Sequence, residues 1–339
     1  MRFLIIRFSS LGDIIQTTAL AYTLKKLYPP SRIIYATRPE FEDLLKSQPY
    51  IDEVYSLNSN ISQLAERIKD VDCILDLHKN PKSIALSSLL KTRCIKRVNK
   101  HTLYRRALVY KIRHPLLRRK TKDNIEDQLA LLNIKDNGLI KPKLIIQPNK
   151  QDNAVGMAVG AKWETKMWPK EHFRRLIELI MEKTDKSVYL FGSKEEEPIA
   201  DFITDGFGKR VKSFVGKLTI YQTIQQMTSC SVFVSNDSAL MHAAVALDIP
   251  LVAIFGPTVK GFGFFPRGKS IVLQKELSCR PCSLHGSNSC PKGDLECMMS
   301  ILPNEVFEAI LRLEHDKEGY KKGQDTHKTV DRPDRGRGT

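Results

Sequence analysis

Asp13 is the first residue of the chain whose type and position could do chemistry. It lies in the stretch SSLGD, between a predicted strand, RFLIIRF, and a predicted helix from Ile14 to Tyr28. In open α/β sheets, ligands bind beyond the carboxyl ends of the strands, at loops of this kind. Ser9, Ser10 and Asp13 are therefore candidates to face a ligand. The alternative role for Asp13 is a helix cap, which stabilises a helix by about 1 kcal/mol.

A second candidate site lies in the stretch FVSNDSALMHAAVA, which ends one predicted strand and begins a helix. Asn236, Asp237 and Ser238 occupy the turn, where free backbone N–H groups and the positive end of the helix dipole suit an anion such as a diphosphate. His242 follows Ser238 by four residues and would share its helix face. His242 could therefore reach the same anion, although a partly buried structural histidine is the alternative. The chain has no Walker sequence and no G-x-G-x-x-G after the first strand, which disfavours a P-loop NTPase and an ordinary dinucleotide enzyme.

Both candidate turns belong to a repeating pattern of short apolar runs and amphipathic helices that covers most of the 339 residues. Such βα alternation predicts an α/β protein with mostly parallel sheets and, because the pattern restarts, two Rossmann-like domains. The stretch KPKLIIQPNKQDN, rich in Pro, Asn and Lys, predicts a linker with the domain boundary near Gln147 to Asn153. We therefore predict domains at 1–148 and 149–315. The polar residues 316–339 have a composition that cannot form a core, and we predict that they are disordered.

The formal net charge of +16 is concentrated in one segment. Residues 91–122 contain thirteen Lys and Arg and no Asp or Glu. This pattern indicates an anionic partner, namely nucleic acid, an acidic membrane surface or a phosphorylated substrate, with a solvated helix face as the alternative. No apolar run approaches the roughly 20 residues that span a bilayer, and the N-terminal run lacks a signal-peptide cleavage site. We therefore expect a cytoplasmic protein.

A cluster of cysteines near the end of the second predicted domain has the spacing C-x2-C-x7-C-x6-C. Four thiolates in a compact loop could bind structural zinc tetrahedrally, and the alternatives are reduced or disulfide-linked thiols. In neither case do we expect catalysis, since a zinc ion with four thiolate ligands has no open position. The candidate ligands are Cys279, Cys282, Cys290 and Cys297.

Four stretches give the chain a specific resemblance. SSLGDIIQTTAL, KMWPKEHFRRLI, FGSKEEE and SNDSALMHAAVALDIPLVAIFGPT occur in this order, and the chain up to about Leu313 resembles glycosyltransferase family nine, the bacterial lipopolysaccharide heptosyltransferases. The resemblance implies a GT-B architecture, in which an N-terminal acceptor domain and a C-terminal donor domain face each other across a cleft. It also implies inverting transfer of a heptose from ADP-heptose to the lipopolysaccharide inner core (Kdo-lipid A or a heptosyl acceptor), with no cofactor required for catalysis. The alternatives are another nucleotide sugar, or a basic binding protein without catalysis.

The resemblance implies roles for individual residues of the first loop and of KMWP. Asp13 matches the catalytic base of the family, which takes the proton from the acceptor hydroxyl as that oxygen attacks the anomeric carbon. Ser9 and Ser10 match the same acceptor-side loop. Lys166 matches a lysine near the donor phosphates, whose charge would stabilise the departing diphosphate without a metal.

The same resemblance implies a donor site in the second domain. Its members in this chain would be Lys166, Glu195, Glu196, Asn236, Asp237, Ser238 and His242. Many relatives have D-T-G-x-x-H where this chain has D-S-A-L-M-H, and the Cβ of Ala239 would limit how closely a phosphate or ribose approaches the backbone. Either Glu195 or Glu196 would contact the nucleoside ribose, and the sequence leaves this choice open. The alternative is that both are solvated acids at the start of a helix.

The basic segment gains a partner from the resemblance, because lipopolysaccharide core acceptors carry phosphates and carboxylates and lie in a membrane leaflet. We expect the segment to bind this anionic glycolipid, to contact the inner-membrane surface peripherally, or both. No nucleic-acid-binding motif accompanies these bases, so we expect no specific nucleic-acid partner. The residues proposed for acceptor binding are Arg105, Arg106, Arg113, Arg118 and Arg119.

Overall fold

The protein folds into two α/β domains, each built on a parallel sheet. The computed structural model describes residues 1–325 with gaps at 59, 113, 115, 116, 118–120 and 122, and describes only the backbone of 316–325. The strands of the first sheet are β1 (Arg2–Ile6), β2 (Arg32–Thr37), β3 (Glu53–Ser56), β4 (Cys73–Asp76) and β5 (Cys94–Arg97). Those of the second sheet are β6 (Ala154–Ala158), β7 (Ser187–Phe191), β8 (Val211–Ser213), β9 (Cys230–Asn236), β10 (Leu251–Phe255) and β11 (Ser270–Gln274).

Helices connect the strands and cover both sheets. Those of the first domain are α1 (Leu11–Leu27), α2 (Glu42–Lys46), α3 (Ile61–Arg67), α4 (Pro81–Leu89), α5 (Thr102–Val109) and α6 (Asn124–Leu129). Those of the second are α7 (Lys170–Lys183), α8 (Glu197–Thr204), α9 (Ile220–Met227), α10 (Ala239–Ala246), α11 (Glu296–Met299) and α12 (Pro303–Asp325). Short 3-10 helices occur at Pro39–Phe41, Ala130–Leu132, Glu164–Lys166, Lys194–Glu196 and Lys260–Phe262. Within the described part of the chain, none of these helices has the length and apolar character needed to cross a membrane.

The strand order places a topological switch point in each sheet. The first sheet has the order β3-β2-β1-β4-β5 and the second β11-β10-β9-β6-β7-β8. In each parallel sheet the strand order reverses beside the first strand of the domain. The loops after β1 and β4 therefore turn to opposite faces of the first sheet, and those after β6 and β9 do the same in the second. Ligands of open α/β sheets bind in the crevice that this divergence creates. The loop of Asp13 follows β1, and the turn of Asp237 follows β9.

Burial on both faces explains why β1 is a continuous apolar run. Phe3 and Ile5 pack in one core cluster with α1, whereas Leu4 and Ile6 pack in a second cluster on the opposite face. Strands of a parallel sheet covered on both sides show this pattern rather than alternating polar residues. In the second domain Trp168 is buried, and its indole Nε1 donates to the Ile301 carbonyl at 2.9 Å.

A cleft of about 920 Å³ separates the carboxyl edges of the two sheets. On one side of it α1 packs against α10. Elsewhere between the domains, Arg267 of the second domain donates to Asp123 at 2.6 Å and pairs with Asp136 at 2.5 Å. The Arg105 guanidinium of α5 lies 5.0 Å from the centre of the Phe264 ring. The predicted α/β class, with two Rossmann-like domains facing each other across a cleft, is therefore confirmed.

The final helix differs from the prediction for the C-terminal residues. α12 continues to Asp325, so that 316–325, which we predicted to be disordered, are helical. The helix starts from a buried face that includes Val306, Phe307 and Ile310. Its later sequence is rich in Lys and Glu, which have good helix propensity, and a helix already nucleated by packing extends at little cost. Residues 326–339 of the predicted tail lie outside the described residues.

Candidate active site in the interdomain cleft

Asp13 lies in the first turn of α1 and lines the cleft. Its Oδ2 accepts hydrogen bonds from the Ser10 backbone N–H at 3.2 Å and from Ser10 Oγ at 3.0 Å. The same oxygen forms an ion pair with Arg7. The side chain of Asp13 remains 25% exposed, so a ligand in the cleft can still reach it. Asp13 therefore supports the helix start and also presents a carboxylate to the cleft.

Arg7 is a cleft residue that the sequence interpretation missed. Its guanidinium donates to the carbonyls of Ser9 at 2.7 Å and Leu77 at 2.5 Å, which fixes it beside Asp13. Burial alone would raise the pKa of Asp13, but the charge of Arg7 and the hydrogen bonds from Ser10 outweigh it and leave the pKa lowered. Asp13 is therefore ionised at neutral pH. The sequence signal that could have identified Arg7 was its positive charge directly after an apolar strand.

His78 lies on the same wall of the cleft, at the loop after β4. Its Nδ1 accepts from the Phe8 backbone N–H at 3.2 Å. Burial lowers the pKa of His78 to about 4, helped by the positive charges of Arg7 and Lys100. The imidazole is thus neutral at physiological pH, and the positive charge of this wall comes from arginine and lysine side chains.

Lys166 and Asp237 meet on the opposite wall. Lys166 ends a short 3-10 helix, and its Nζ lies 2.5 Å from Asp237 Oδ2. Thr258 Oγ1 donates to the same carboxylate oxygen at 2.7 Å. The side chains of Lys166 and Asp237 are only 14% and 8% exposed. The two predicted donor residues are therefore brought together, and an incoming anion would compete with Asp237 for Lys166.

Ser238 and His242 also line the cleft, on α10. Ser238 is the N-cap residue of this helix, so its turn presents the helix N-terminus to the cleft. His242 is buried, and its ring nitrogens lie 3.4 and 3.5 Å from Nε2 of Gln16 in the other domain. Burial lowers the pKa of His242. His242 thus contacts Gln16 of the first domain. Its ring lies where the two domains meet.

Ala239 lies against the first domain. A Cβ built on Gly12 would lie 3.3 Å from the Ala239 Cα and 3.7 Å from its Cβ. The alanine that replaces the expected glycine therefore faces the start of α1 and lines the cleft beside it.

Asn236, Glu195 and Glu196, which were also predicted for the donor site, differ in whether they line the cleft. Asn236 is fully buried, its Oδ1 accepts from the Trp168 N–H at 3.1 Å, and its Nδ2 points at the Val159 and Gly160 carbonyls. These hydrogen bonds occupy both the oxygen and the nitrogen of the amide. We predicted that Asn236 faces the donor, but it is not part of the cleft lining. Glu196 lines the cleft and accepts from the Ser193 N–H at 2.5 Å, whereas Glu195 is exposed outside it.

The predicted acceptor arginines divide into three groups. Arg105 lines the cleft, and its Nη2 donates to Asn124 Oδ1 at 2.6 Å. Arg106, the next residue on α5, is exposed and is not part of the cleft lining. Arg113, Arg118 and Arg119 lie outside the described residues. Ser9 and Ser10 line the cleft beside Asp13, as predicted from the loop.

The four cysteines of the predicted zinc cluster differ in burial. Cys297 is buried in the core of the second domain, and the other three cysteines are half-buried in the preceding loop. Among the described residues, no three or more His, Cys, Asp or Glu side chains are grouped closely enough to hold a metal ion. Burial raises the pKa of Cys297 to about 11. The described side chains therefore add no support to the predicted zinc site, which stays a prediction.

One disulfide was not anticipated from the sequence. Cys73 and Cys94 are directly paired neighbours on β4 and β5, and their sulfurs are bonded. The bond lies outside the cysteine cluster and joins the edge strand β5 to its neighbour β4.

Comparison with known proteins identifies the family. The model of glycosyltransferase family 9 (heptosyltransferase) matches residues 61–289. Lipooligosaccharide heptosyltransferase 2 of Haemophilus influenzae is 24% identical over 291 residues, which cover 76% of this chain and 84% of that protein. Lipooligosaccharide heptosyltransferase 2 of Campylobacter jejuni is 24% identical over 312 residues, or 88% and 93% of the two chains.

Solved structures have the same fold. Escherichia coli ADP-heptose LPS heptosyltransferase II has a TM-score of 0.73 at 22% identity, covering 94% of this chain and 100% of that one. E. coli heptosyltransferase WaaC with ADP has a TM-score of 0.70 at 20% identity, covering 92% and 100%. These likenesses confirm the predicted GT-B architecture. The family model matches well over half of this chain, in agreement with the resemblance found in the sequence. The chain therefore belongs to glycosyltransferase family 9, the heptosyltransferase family.

Proposed function

We propose that the protein is an inverting heptosyltransferase that moves a heptose from ADP-heptose to the inner core of lipopolysaccharide. Family membership supports the reaction class, and the named relatives support the sugar and the acceptor. The observation that carries the proposal is the arrangement of the cleft. An ionised carboxylate, Asp13, lies on one wall, and a cation, Lys166, lies on the other.

The proposed reaction follows from this arrangement. An acceptor hydroxyl oxygen attacks the anomeric carbon of the donor, and Asp13 takes the proton from that hydroxyl. The bond between the anomeric carbon and the diphosphate oxygen breaks on the opposite face, so the configuration at carbon inverts. Negative charge develops on the diphosphate, where Lys166 and the N-terminus of α10 stabilise it. Asp237 releases Lys166 for this purpose and keeps its hydrogen bond from Thr258.

Glu196 is the better candidate of the two glutamates for the nucleoside. A Cβ built on Gly160 would lie 2.2 Å from Glu196 Oε1, so the carboxylate occupies space beside this glycine that a larger residue would block. Ser193 orients the other oxygen. Glu196 can therefore accept a hydrogen bond from ribose hydroxyls at the donor wall.

Arg105 is the candidate for anionic groups of the acceptor, because it lines the first-domain part of the cleft. Lys100 and His78 lie on the same wall. A core oligosaccharide with carboxylates or phosphates would meet a positive surface there.

The surface formed by α5 and the next three residues, 110–112, supports peripheral contact with a membrane. Leu103, Tyr110 and Ile112 are 70%, 73% and 55% exposed, and Arg106 and Lys111 are exposed beside them. Apolar side chains next to basic ones suit the interface of an anionic membrane. We propose that this surface holds the enzyme beside its lipid-anchored acceptor.

Replacing Arg106 with Glu is expected to weaken binding to vesicles that contain anionic phospholipid by roughly thirtyfold, since each basic residue near such a surface contributes about 1 kcal/mol and charge reversal doubles the change to about 2 kcal/mol. Vesicle co-sedimentation at two salt concentrations measures it. Lys209→Glu, an exposed reversal in the second domain, is the matched control. Equal vesicle binding by the Arg106 variant and the original protein would contradict membrane contact through α5.

The function itself is tested by incubating the purified protein with ADP-heptose and Kdo-lipid A, or with an acceptor that already carries one heptose. Mass spectrometry detects the added sugar. Parallel reactions with other nucleotide sugars test the alternative donor specificity. Absence of product with every donor would favour a binding protein without catalysis.

A further inference from the structure

The loop between β11 and α11, residues 275–295, brings a histidine to the cleft that neither the sequence motifs nor the proposed mechanism uses. We call this segment the cysteine loop, because it carries Cys279, Cys282 and Cys290. Leu284 and His285 of the cysteine loop line the cleft together with Lys166 and Asp13. The His285 side chain is exposed and lines the cleft.

Three hydrogen bonds attach the cysteine loop to the 3-10 helix that carries Lys166. The Thr165 N–H donates to the Ser287 carbonyl at 3.1 Å, and Thr165 Oγ1 donates to the same carbonyl at 2.9 Å. In return, the Ser287 N–H donates to Thr165 Oγ1 at 2.8 Å. Thr165 is buried, so these bonds are shielded from water. Lys166 follows Thr165, and His285 precedes Ser287 by two residues, so this attachment places both side chains at one part of the cleft.

Gly286 allows this close approach. Its φ is +102°, in the region that favours glycine, and a Cβ there would lie 2.7 Å from the Cβ of Trp163. Trp163 also lines the cleft. Gly286, the residue after His285, thus packs directly against Trp163, and no larger residue fits at this position.

Arg280 attaches the cysteine loop a second time. Its Nε donates to the Gly256 carbonyl at 2.5 Å, and its Nη2 donates to the Thr258 carbonyl at 2.9 Å. Thr258 is the residue whose hydroxyl holds Asp237. The cysteine loop is therefore fixed both to the segment that carries Lys166 and to the residue whose hydroxyl holds Asp237.

The charges around His285 indicate what it binds. Lys166, Arg105 and Lys162 contribute positive charge, and Asp13 is the opposing anion. Partial burial lowers the pKa of His285, and the charges of Lys166 and Arg105 lower it further. The ring is therefore neutral at physiological pH and can donate one N–H without adding charge. An anion with several acceptor oxygens is the ligand that best matches three cations and one neutral donor.

We propose that His285 contacts the diphosphate of the donor beside Lys166 and donates a hydrogen bond to one of its oxygens as the sugar leaves. This inference rests on the proposed nucleotide-sugar reaction and adds to it a residue supplied by the cysteine loop. The cysteine loop thereby becomes part of the donor site, with its attachments at Thr165 and Arg280 positioning His285.

The test compares His285→Ala and His285→Gln with the original protein, using calorimetry with ADP, UDP and GDP and steady-state kinetics. Alanine removes the donor group, and we expect roughly tenfold weaker binding of the preferred nucleoside diphosphate and a similar or larger loss in kcat. Glutamine keeps an N–H donor and should recover most of both. His315→Ala is the matched control. His315 is an exposed residue of α12 and is not part of the cleft lining.

Each outcome decides the inference. Unchanged nucleotide affinity and kcat in His285→Ala would overturn it while leaving the donor site at Lys166 in place. Equal losses in the alanine and glutamine variants, with lowered melting temperatures, would assign His285 a purely structural role and also overturn it. An original protein that binds none of the three nucleoside diphosphates would overturn both the proposed function and this inference.

Discussion

Asp13→Asn is expected to lower turnover by roughly 10²-fold or more while nucleoside-diphosphate binding stays close to that of the original protein. Asparagine has the same size, and its carbonyl oxygen can still accept the hydrogen bonds that Ser10 donates. The amide cannot take a proton from an acceptor hydroxyl. The loss therefore appears in kcat and not in donor affinity.

Rapid-quench measurement of a single turnover, with saturating donor and acceptor, isolates this step. Asp43→Asn is the matched control, because Asp43 also lies in the first turn of a helix but is exposed on α2. Both variants lose a favourable charge at a helix N-terminus, and only one loses the carboxylate in the cleft. Turnover near the original value in Asp13→Asn would leave Asp13 with the role of a helix cap.

The pH dependence of the original protein provides a second test of Asp13. Its pKa in the folded protein lies below the ordinary 3.8, so its carboxylate stays ionised as the pH falls from 8 to 5. The pairing with Arg7 stabilises the folded state above the unfolded pKa, and this stabilisation is lost as the pH falls through the lowered folded value. We therefore expect no loss of kcat from protonation of Asp13 between pH 8 and 5. A pH–rate profile shows whether an acidic limb appears in this range.

Lys166→Ala is expected to weaken nucleoside-diphosphate binding by about 1 to 3 kcal/mol, or roughly 5- to 150-fold. The reason is twofold. The variant lacks a charge-assisted bond to the phosphates, and it leaves the largely buried carboxylate of Asp237 with only the hydrogen bond from Thr258. An uncompensated carboxylate repels an incoming diphosphate, so we expect the upper part of the range.

Calorimetry with ADP measures this loss, and Lys166→Ala combined with Asp237→Asn separates its two causes. If repulsion by Asp237 contributes, the double variant binds ADP more tightly than the single one. Lys170→Ala removes an exposed lysine four positions along the chain and serves as the control. Unchanged ADP affinity in Lys166→Ala would remove this lysine from the donor site.

The sequence predicted strongly apolar elements well and half-exposed ones poorly. β1 and α1 were expected from the first residues, because both faces of the strand are buried and its apolar run is uninterrupted. β5, with the sequence CIKR, was missed because every one of its residues is half-buried and two carry charge. The basic segment in which it lies suggested a charged surface and hid both this edge strand and α5.

The site was predictable where residues belong to a spaced motif. Asp13, Lys166 and Asp237 were predicted from such motifs and from the family resemblance, and all three line one cleft. Arg7 and His285 carry no spacing signal, because each reaches the cleft through contacts between segments that are distant in sequence. Glu195 and Glu196 are adjacent, so only their three-dimensional orientation could distinguish them.

The contact between Gly12 and α10 closes one end of the cleft. A Cβ on Gly12 would lie 3.0 Å from the His242 ring and 3.3 Å from the Ala239 Cα, so the domains already touch at the start of α1. A side chain at position 12 would crowd the ring and the backbone of the other domain. Asp13 follows Gly12 directly, so its carboxylate lies beside this contact. The close approach of the two walls at Asp13 therefore depends on the side chain that residue 12 lacks, and not only on the residues that line the cleft.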